Sequence, residues 1–193
     1  MALAKRLNDA IYSFGDYLQW PEDERWELIN GTAFNMAAAP TRKHQKILGE
    51  LYRQISNFLV DKTCDVYSAP FDVRFPEADE KEYEIKTVLQ PDISVICDQT
   101  KLDEKGCLGS PDFIIEIISP FTLQRDMGEK FFIYEKFGVK EYWLVHPGDR
   151  TLMVFKLQQD NKYGRPEIYF SRGIAEVGII PGLTIDLATV FSD

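Results

Sequence analysis

Three ionisable side chains, far apart along the chain, could perform chemistry together if the fold brought them into contact. Asp92 follows a proline at the start of an apolar segment, Glu116 interrupts a second apolar segment, and Lys130 follows in the next one. Two adjacent carboxylates repel each other unless one is protonated or a cation lies between them. Mg²⁺ binds one or two protein carboxylates and completes its coordination with water and phosphate oxygens. A lysine beside such an ion could hold an attacking water or balance charge in a transition state.

The segment that carries Glu116 has the pattern of a strand covered on both sides. Residues 113–118 are apolar on both faces apart from Glu116, which is typical of a strand with protein on either side. A carboxylate buried there requires a positive partner. The helix predicted over about 122–137 supplies Lys130 on its apolar stripe, whereas Asp126 is predicted to be a surface partner on the same helix. The stripe consists of Leu123, Met127, Phe131 and Tyr134.

Asp92 opens another predicted strand, over 91–97, which can lie beside the strand that carries Glu116. In that arrangement the two carboxylates sit side by side. The sequence therefore predicts a two-carboxylate site for Mg²⁺ or Mn²⁺, formed by Asp92 and Glu116, with Lys130 on the covering helix.

The elements that position these residues predict an α/β fold, with a mixed β-sheet flanked by helices and additional β-hairpins. Asn30-Gly31 between short apolar runs favours a type I′ hairpin, and an apolar face recurring from about 40 to 60 indicates a helix. The helix between 112–118 and 141–145 implies a crossover that makes these strands parallel neighbours. A length of 193 residues predicts a single domain over 1–193. Further strands are predicted at about 64–74 and in hairpins after residue 146.

Composition and charge limit the partners. With 22 basic and 31 acidic residues, the net charge is −9, so the overall field does not attract polyanions, and nucleic-acid binding requires a local basic patch or metal ions. No apolar run approaches the roughly 20 residues of a membrane helix, and the N-terminus lacks the apolar core of a secretion signal. Three cysteines without CxxC spacing, Cys64, Cys97 and Cys107, predict reduced thiols in the cytoplasm rather than a disulfide.

Several segments together resemble a known family. They are W-E-L-I-N-G at 26–31, A-P-T-R-K-H-Q at 39–45, S-A-P-F-D-V at 68–73, Q-P-D-I-S-V-I-C at 90–97, S-P-D-F-I-I-E-I-I-S-P at 110–120 and G-V-K-E-Y-W-L-V at 138–145. On these motifs the chain resembles the Uma2-type branch, also called DUF820, of the PD-(D/E)xK nuclease superfamily. The resemblance implies a restriction-endonuclease-like fold and metal-dependent phosphodiester hydrolysis, with Asp92, Glu116 and Lys130 as the acid–acid–lysine set. In the wider superfamily the lysine stands two residues after the glutamate, where this chain has Ile118.

Four other side chains are candidates for the site. The superfamily often carries a glutamate on an early element, for which Glu27 is the candidate; the alternative is an exposed hairpin glutamate. His44, Asp72 and Tyr134 are predicted as substrate contacts or supporting residues. The alternative for His44 is a polar residue at a helix start, and that for Asp72 is an ion pair with Arg74 or another surface charge. The alternative for Tyr134 is a core aromatic.

Two functions in different classes follow. The first is a Mg²⁺- or Mn²⁺-dependent DNA endonuclease in which Asp92 and Glu116 bind the metal, Lys130 orients or helps deprotonate the attacking water, and Glu27 completes the shell. The second is a catalytically inactive nuclease-fold protein that acts as an interaction or assembly module, which the acidic balance and the lack of a basic run favour. A homodimer or higher homo-oligomer is expected through the apolar tail and hairpins, and no membrane partner is expected.

Overall fold

Two six-stranded sheets and one two-stranded sheet form the framework of the described residues, 10–21, 23–36, 39–119 and 123–192, in the computed structural model. The strands are β1 (Trp26–Ile29), β2 (Thr32–Asn35), β3 (Asp65–Ser68), β4 (Val73–Arg74), β5 (Val88–Leu89), β6 (Ile93–Ile96), β7 (Leu102–Asp103), β8 (Gly106–Leu108), β9 (Phe113–Ile117), β10 (Glu141–His146), β11 (Thr151–Lys156), β12 (Glu167–Phe170), β13 (Ile174–Glu176) and β14 (Thr184–Asp186). The helices are α1 (Phe14–Tyr17), α2 (Arg42–Leu59), α3 (Leu123–Asp126), α4 (Glu129–Lys136) and α5 (Leu187–Val190).

The second large sheet carries the two segments on which the sequence interpretation rests. Its strand order is β12-β11-β10-β9-β6-β3. Strands β9 and β10 are parallel, as the crossover helix predicts, and every other pair in this sheet is antiparallel. The first sheet has the order β2-β1-β5-β4-β8-β7 and contains the predicted hairpin at its β1–β2 edge. The mixed α/β architecture is thus confirmed.

Alternation along β9 decides which side of the sheet each residue faces. Phe113, Ile115 and Ile117 belong to the core cluster that also contains the buried face of α2. Ile114 belongs to the opposite cluster, together with residues of α4. Because successive side chains of a strand point to opposite faces, Glu116 shares the α4 side with Ile114.

Helix α2 matches the predicted helix over about 40–60. Thr41 is its N-cap, and the Thr41 side chain accepts a hydrogen bond from the backbone N–H of His44 at 3.2 Å. Its buried residues recur at four-residue steps and pack against the second sheet. They are Ile47, Leu51, Ile55 and Leu59.

The helix predicted over 122–137 is interrupted, and its first residue lies outside the described residues. The helix is interrupted between α3 and α4, which begins directly after Gly128. At Gly128 the backbone approaches so closely that an added Cβ would lie 2.6 Å from the carbonyl oxygen of Gln124. The break shifts the phase of the helix, so Leu123 and Met127 are exposed while Tyr134 is buried. The predicted stripe is therefore wrong in its first half.

The strand predicted over 64–74 is two strands in different sheets. β3 pairs with β6 in the second sheet, whereas β4 pairs with β5 and β8 in the first. The chain crosses between them through Ala69-Pro70, whose peptide bond is cis. Proline has no N–H to donate to a strand ladder, which accounts for the interruption.

The prediction of reduced cysteines is wrong for Cys64 and Cys97, which form a disulfide. Pairing of Asp65 with Ile96 in the antiparallel β3–β6 ladder brings the two cysteines opposite each other, with Cα atoms 3.9 Å apart. Their separation of 33 residues hides this proximity from the sequence. Cys107 is a buried free thiol. Within the described residues, no helix is long and apolar enough to cross a membrane.

Candidate active site

Lys130 lies at the centre of a cluster of carboxylates between the two large sheets. Its Nζ is 2.8 Å from Oε1 of Glu27 and 2.9 Å from Oε1 of Glu116. Asp126 Oδ1 is 3.8 Å from the same nitrogen. The Lys130 and Glu116 side chains are only 3% and 5% exposed, and that of Glu27 is fully buried. The structure therefore joins two of the predicted carboxylates to the predicted lysine by direct contacts.

Two neighbouring turns of α4 position the donors to Glu116. Lys130 stands in the first turn, and Tyr134 follows one turn later on the same side of the helix. The Tyr134 hydroxyl donates to Oε1 of Glu116 at 2.7 Å, so this oxygen accepts from both residues. Tyr134 is completely buried; it is a core aromatic that also contacts the cluster.

Glu27 is not an exposed hairpin residue. Strand β1 is covered along its whole length because β2 and β5 flank it and both of its faces are packed. Glu27 Oε1 accepts from the backbone N–H of Gln90 at 3.0 Å in addition to Lys130, and Oε2 lies 3.4 Å from Nη1 of Arg125. The exposed alternative is wrong, and Glu27 belongs to the cluster.

Asp126 also differs from its prediction as a surface partner. It is 2% exposed and lies inside, within reach of Lys130 one turn later. The reason is the interruption before α4, which lets α3 turn this residue inward. The backbone carbonyl of Asp126 accepts from the hydroxyl of Tyr142 at 3.0 Å, which fixes the end of α3 to the second sheet.

Asp92 lies at the outer side of the cluster. Pairing of Ile93 with Ile115 in the β6–β9 ladder, extended by one residue, puts Asp92 opposite Glu116. Directly opposite residues of antiparallel strands project on the same face, with Cβ atoms about 4.5–5.5 Å apart. The Oδ2 atom of Asp92 accepts from the backbone N–H of Ile117 at 2.7 Å, and its side chain is 18% exposed.

His44 contacts Asp92 from the start of α2. Its Nε2 is 3.2 Å from Oδ2 of Asp92, the same oxygen that accepts from Ile117. Burial lowers the pKa of His44, but the hydrogen bond and charge of Asp92 and the charge of Asp126 outweigh it and raise the pKa overall. Among the described residues, the buried Nδ1 of His44 has no hydrogen-bond partner. The structure thus places His44 beside a predicted metal ligand.

Asp72 is connected to the cluster only through an intermediate residue. Its Oδ1 accepts from Nε2 of Gln90 at 2.9 Å and from the hydroxyl of Tyr17 at 3.0 Å. The backbone N–H of Gln90 in turn donates to Glu27. Arg74 forms ion pairs with two other carboxylates, so the alternative of an Asp72–Arg74 pair is wrong.

Carboxylates outnumber cations around Lys130, and this imbalance shifts the pKa values of the cluster. The pKa of Glu116 is raised to about 8: burial is the largest cause, the attraction of Lys130 opposes it, and the repulsion of Asp126, Asp92 and Glu27 adds to it. Burial alone would lower the pKa of Lys130, but the carboxylates of Glu116, Glu27 and Asp126 raise it above its ordinary value. Lys130 is therefore held in its charged form.

The donor set fits a hard divalent cation bound by few protein ligands. Within the described parts of the chain, no group of three or more His, Cys, Asp or Glu side chains has the arrangement of a metal site. Two carboxylates, Asp92 and Glu116, are enough for Mg²⁺, because this ion keeps several waters and takes substrate oxygens. Both contacts described for Asp92 use Oδ2, and both described for Glu116 use Oε1. A divalent cation would also offset the surplus of carboxylates around Lys130.

Sequence reasoning missed two residues of this network, Gln90 and Arg125. Gln90 links Glu27 to Asp72, and its Oε1 accepts from Arg25 at 3.0 Å. Its place directly before Pro91-Asp92 was the available signal. Arg125 approaches Glu27 from α3 and lies over the ring of Phe34 at 4.5 Å; nothing in the sequence distinguishes it from a surface arginine.

Comparison with known proteins identifies the family and the fold of the chain. The family model Uma2, described as "Putative restriction endonuclease", matches residues 14–188. A crystal structure of "a putative nuclease belonging to DUF820" from Anabaena variabilis shares the fold with a TM-score of 0.73, covering 93% of this chain and 97% of that one at 22% identity. "Uncharacterized protein slr1290" of Synechocystis sp. is 27% identical over 121 residues, which is 62% of this chain and 60% of that relative's length. The buried acid–lysine cluster therefore lies in a chain that belongs to the Uma2 family of restriction-endonuclease-like proteins.

Proposed function

We propose that this protein is a metal-dependent endonuclease that hydrolyses phosphodiester bonds in DNA. The observation that carries the proposal is the contact of Lys130 with Glu27 and Glu116, directly beside Asp92, in a chain of a family described as nucleases. A buried ion pair by itself contributes little compared with apolar packing. A catalytic role accounts for a buried ion pair whose desolvation cost is high.

In this proposal Asp92 and Glu116 hold Mg²⁺ or Mn²⁺. When bound, the ion supplies Lewis-acid polarisation of the phosphate and lowers the pKa of a water. Asp92 is the more exposed of the two carboxylates, so it faces the approaching substrate. The backbone N–H of Ile117 and the ring of His44 fix the Asp92 side chain.

Lys130 acts as a cation and hydrogen-bond donor rather than as a base. Its raised pKa keeps the ammonium group protonated at neutral pH. It can therefore hold the attacking water and stabilise negative charge that develops on the phosphate. Glu27 and Tyr134 position the site from either side: Glu27 holds Lys130, and Tyr134 holds Glu116.

The test is cleavage of plasmid and branched DNA with Mg²⁺, comparing wild type with Asp92→Asn and Lys130→Met. Asp92→Asn keeps an acceptor for the N–H of Ile117 while removing the charge. Asp65→Asn is the matched control, because Asp65 is an exposed aspartate on β3, paired with the opposite end of β6. We expect cleavage by wild type and the control, and a loss of about 100-fold or more in both site variants, as is typical when a group that stabilises the transition state is removed.

Equal cleavage by wild type, Asp92→Asn and Lys130→Met would show that any nuclease activity comes from elsewhere. Thermal melting of each variant establishes that it is folded, so a loss caused by unfolding is recognised. Asp92→Asn decides the matter if Lys130→Met is too unstable to purify.

The burial of the cluster favours a second function, an inactive nuclease-fold protein used for assembly. The Lys130 ammonium is almost completely covered and contacts two carboxylates, which is also the geometry of a structural ion pair. Titration calorimetry separates the two functions, because an active site should bind Mg²⁺ or Mn²⁺ in wild type and lose that binding in Asp92→Asn. A retired site should bind neither ion in a manner that depends on Asp92.

Self-association is a further part of both proposals. Strand β12 is the last strand of its sheet among the described residues, and Ile168 and Phe170 on it are 55% and 68% exposed. Exposed apolar residues on an edge strand favour pairing with a second copy. Analytical ultracentrifugation of wild type and Phe170→Lys tests this, and a monomeric wild type would reject it.

A further inference from the structure

A basic patch lies on the first turns of α2, and it consists of Arg42, Lys43 and Lys46. All three residues are exposed. Lys46 follows Arg42 by four residues and Lys43 by three, so the three side chains share one region of the helix surface. The first turn contains no acidic residue. This patch provides the local positive charge that DNA binding requires in a chain of net charge −9.

The patch opposes the local preferences of a helix. The N-terminal turn favours acidic side chains and disfavours cations, and like charges at four-residue spacing repel each other. Many exposed cations elsewhere in the chain are neutralised by carboxylates, such as Arg53, Lys136 and Lys156. Within the described residues, neither Arg42 nor Lys43 forms an ion pair. A bound anion would offset both the unfavourable interaction of these cations with the helix dipole and their mutual repulsion.

The patch is adjacent to the candidate active site. His44 belongs to the same helical turn, and its ring contacts Asp92 at 3.2 Å. Asp92 is in turn the exposed edge of the cluster around Lys130. Arg42 and Lys43 directly precede His44, so an anion that binds them lies at the end of α2 that contacts the most accessible proposed metal ligand.

We propose that Arg42 and Lys43 bind the phosphodiester backbone of duplex DNA and so bring a neighbouring phosphate to Asp92. The inference rests on the proposed nuclease function and adds the surface that receives the substrate. Binding is electrostatic and independent of sequence, since exposed lysine and arginine contacts to phosphates carry no base information.

The test measures the affinity of a short fluorescein-labelled DNA duplex by fluorescence anisotropy, with Ca²⁺ in place of Mg²⁺ so that binding is observed without cleavage. The test variant is Arg42→Ala/Lys43→Ala. The matched control is Lys62→Ala/Arg172→Ala, which also removes two exposed positive charges. Lys62 lies beyond the opposite end of α2, about 27 Å from its start by helix geometry. Alanine suits both helix positions in the test variant, and a melting curve establishes that each variant is folded.

Loss of two phosphate contacts should lower the slope of log K against log salt by roughly 2 and weaken binding by about 60-fold near 0.1 M salt, because each contact contributes about 0.9 to that slope. The control should keep the wild-type slope. Equal slopes for wild type and the test variant, or equal losses in the test variant and the control, would overturn the inference while leaving nuclease activity in place. A wild-type protein that neither binds nor cleaves DNA would overturn both proposals.

Discussion

Replacement of Lys130 by methionine tests the charge balance at the centre of the molecule. The change removes the ammonium group that lies 2.8 Å and 2.9 Å from oxygens of Glu27 and Glu116, both almost completely buried. Each oxygen keeps one donor, the backbone N–H of Gln90 or the hydroxyl of Tyr134. Removing one partner of a buried ion pair leaves an uncompensated charge, so we expect the free energy of unfolding to fall by about 3–5 kcal/mol near pH 8.

The loss should depend on pH in a defined direction. The pKa of Glu116 is raised in the folded protein to about 8, above its ordinary value of 4.5. Between these values the folded state binds more protons than the unfolded state, so the free energy of unfolding decreases as pH rises. Lys130 lowers the pKa of Glu116, and its removal should extend this decrease to higher pH. At pH 8 Glu116 is half ionised in the wild type, so the deficit of Lys130→Met should exceed that near pH 5.5 by up to about 0.4 kcal/mol, and by more as the pH rises further, towards about 1.4 kcal/mol for each unit of added pKa shift.

Urea denaturation of wild type and variant at both pH values measures this effect. Lys136→Met is the matched control, since Lys136 is on the same helix, 58% exposed, and paired with an exposed glutamate. An exposed pair contributes only about 0–1 kcal/mol, so the control should remain close to wild type. A deficit below about 1 kcal/mol at pH 8, or one that increases at acid pH, would contradict the burial of an uncompensated charge.

Three further changes test separate parts of the fold. Tyr134→Phe removes the 2.7 Å hydrogen bond to Glu116 and should lower the free energy of unfolding by about 1.5–3 kcal/mol in urea denaturation; no change would mean that this bond is absent in solution. The Cys64–Cys97 disulfide closes 33 residues, so Cys97→Ser should cost about 3–4 kcal/mol by the chain-entropy model, and thiol titration of the denatured, unreduced wild type should find one free thiol rather than three. Gly31→Ala should destabilise the protein by about 1–3 kcal/mol, because Gly31 has φ +80° and its added Cβ would lie 2.6 Å from a neighbouring methyl group; an unchanged melting temperature would argue against this hairpin geometry.

The amino-acid pattern by itself determined the elements around the site and their order. Period-two and period-3.6 apolar patterns are local properties, so the hairpin at β1–β2, helix α2 and strand β9 follow from the chain. The parallel pairing of β9 with β10 also follows, because a helical crossover permits few topologies. A single charged residue in an apolar strand was enough to identify Glu116 as a residue that requires a buried cation.

The tertiary structure decided the features that depend on distant contacts. Glu27 and Asp126 are buried because β1 and α3 are covered by elements far away in sequence, and no local pattern encodes that cover. The disulfide depends on the β3–β6 register, which residue spacing does not reveal. The helix break at Gly128 depends on a close backbone approach. The carboxylates around Lys130 come from β1, β9 and α3. They surround the lysine and are buried with it only once the two large sheets have packed together.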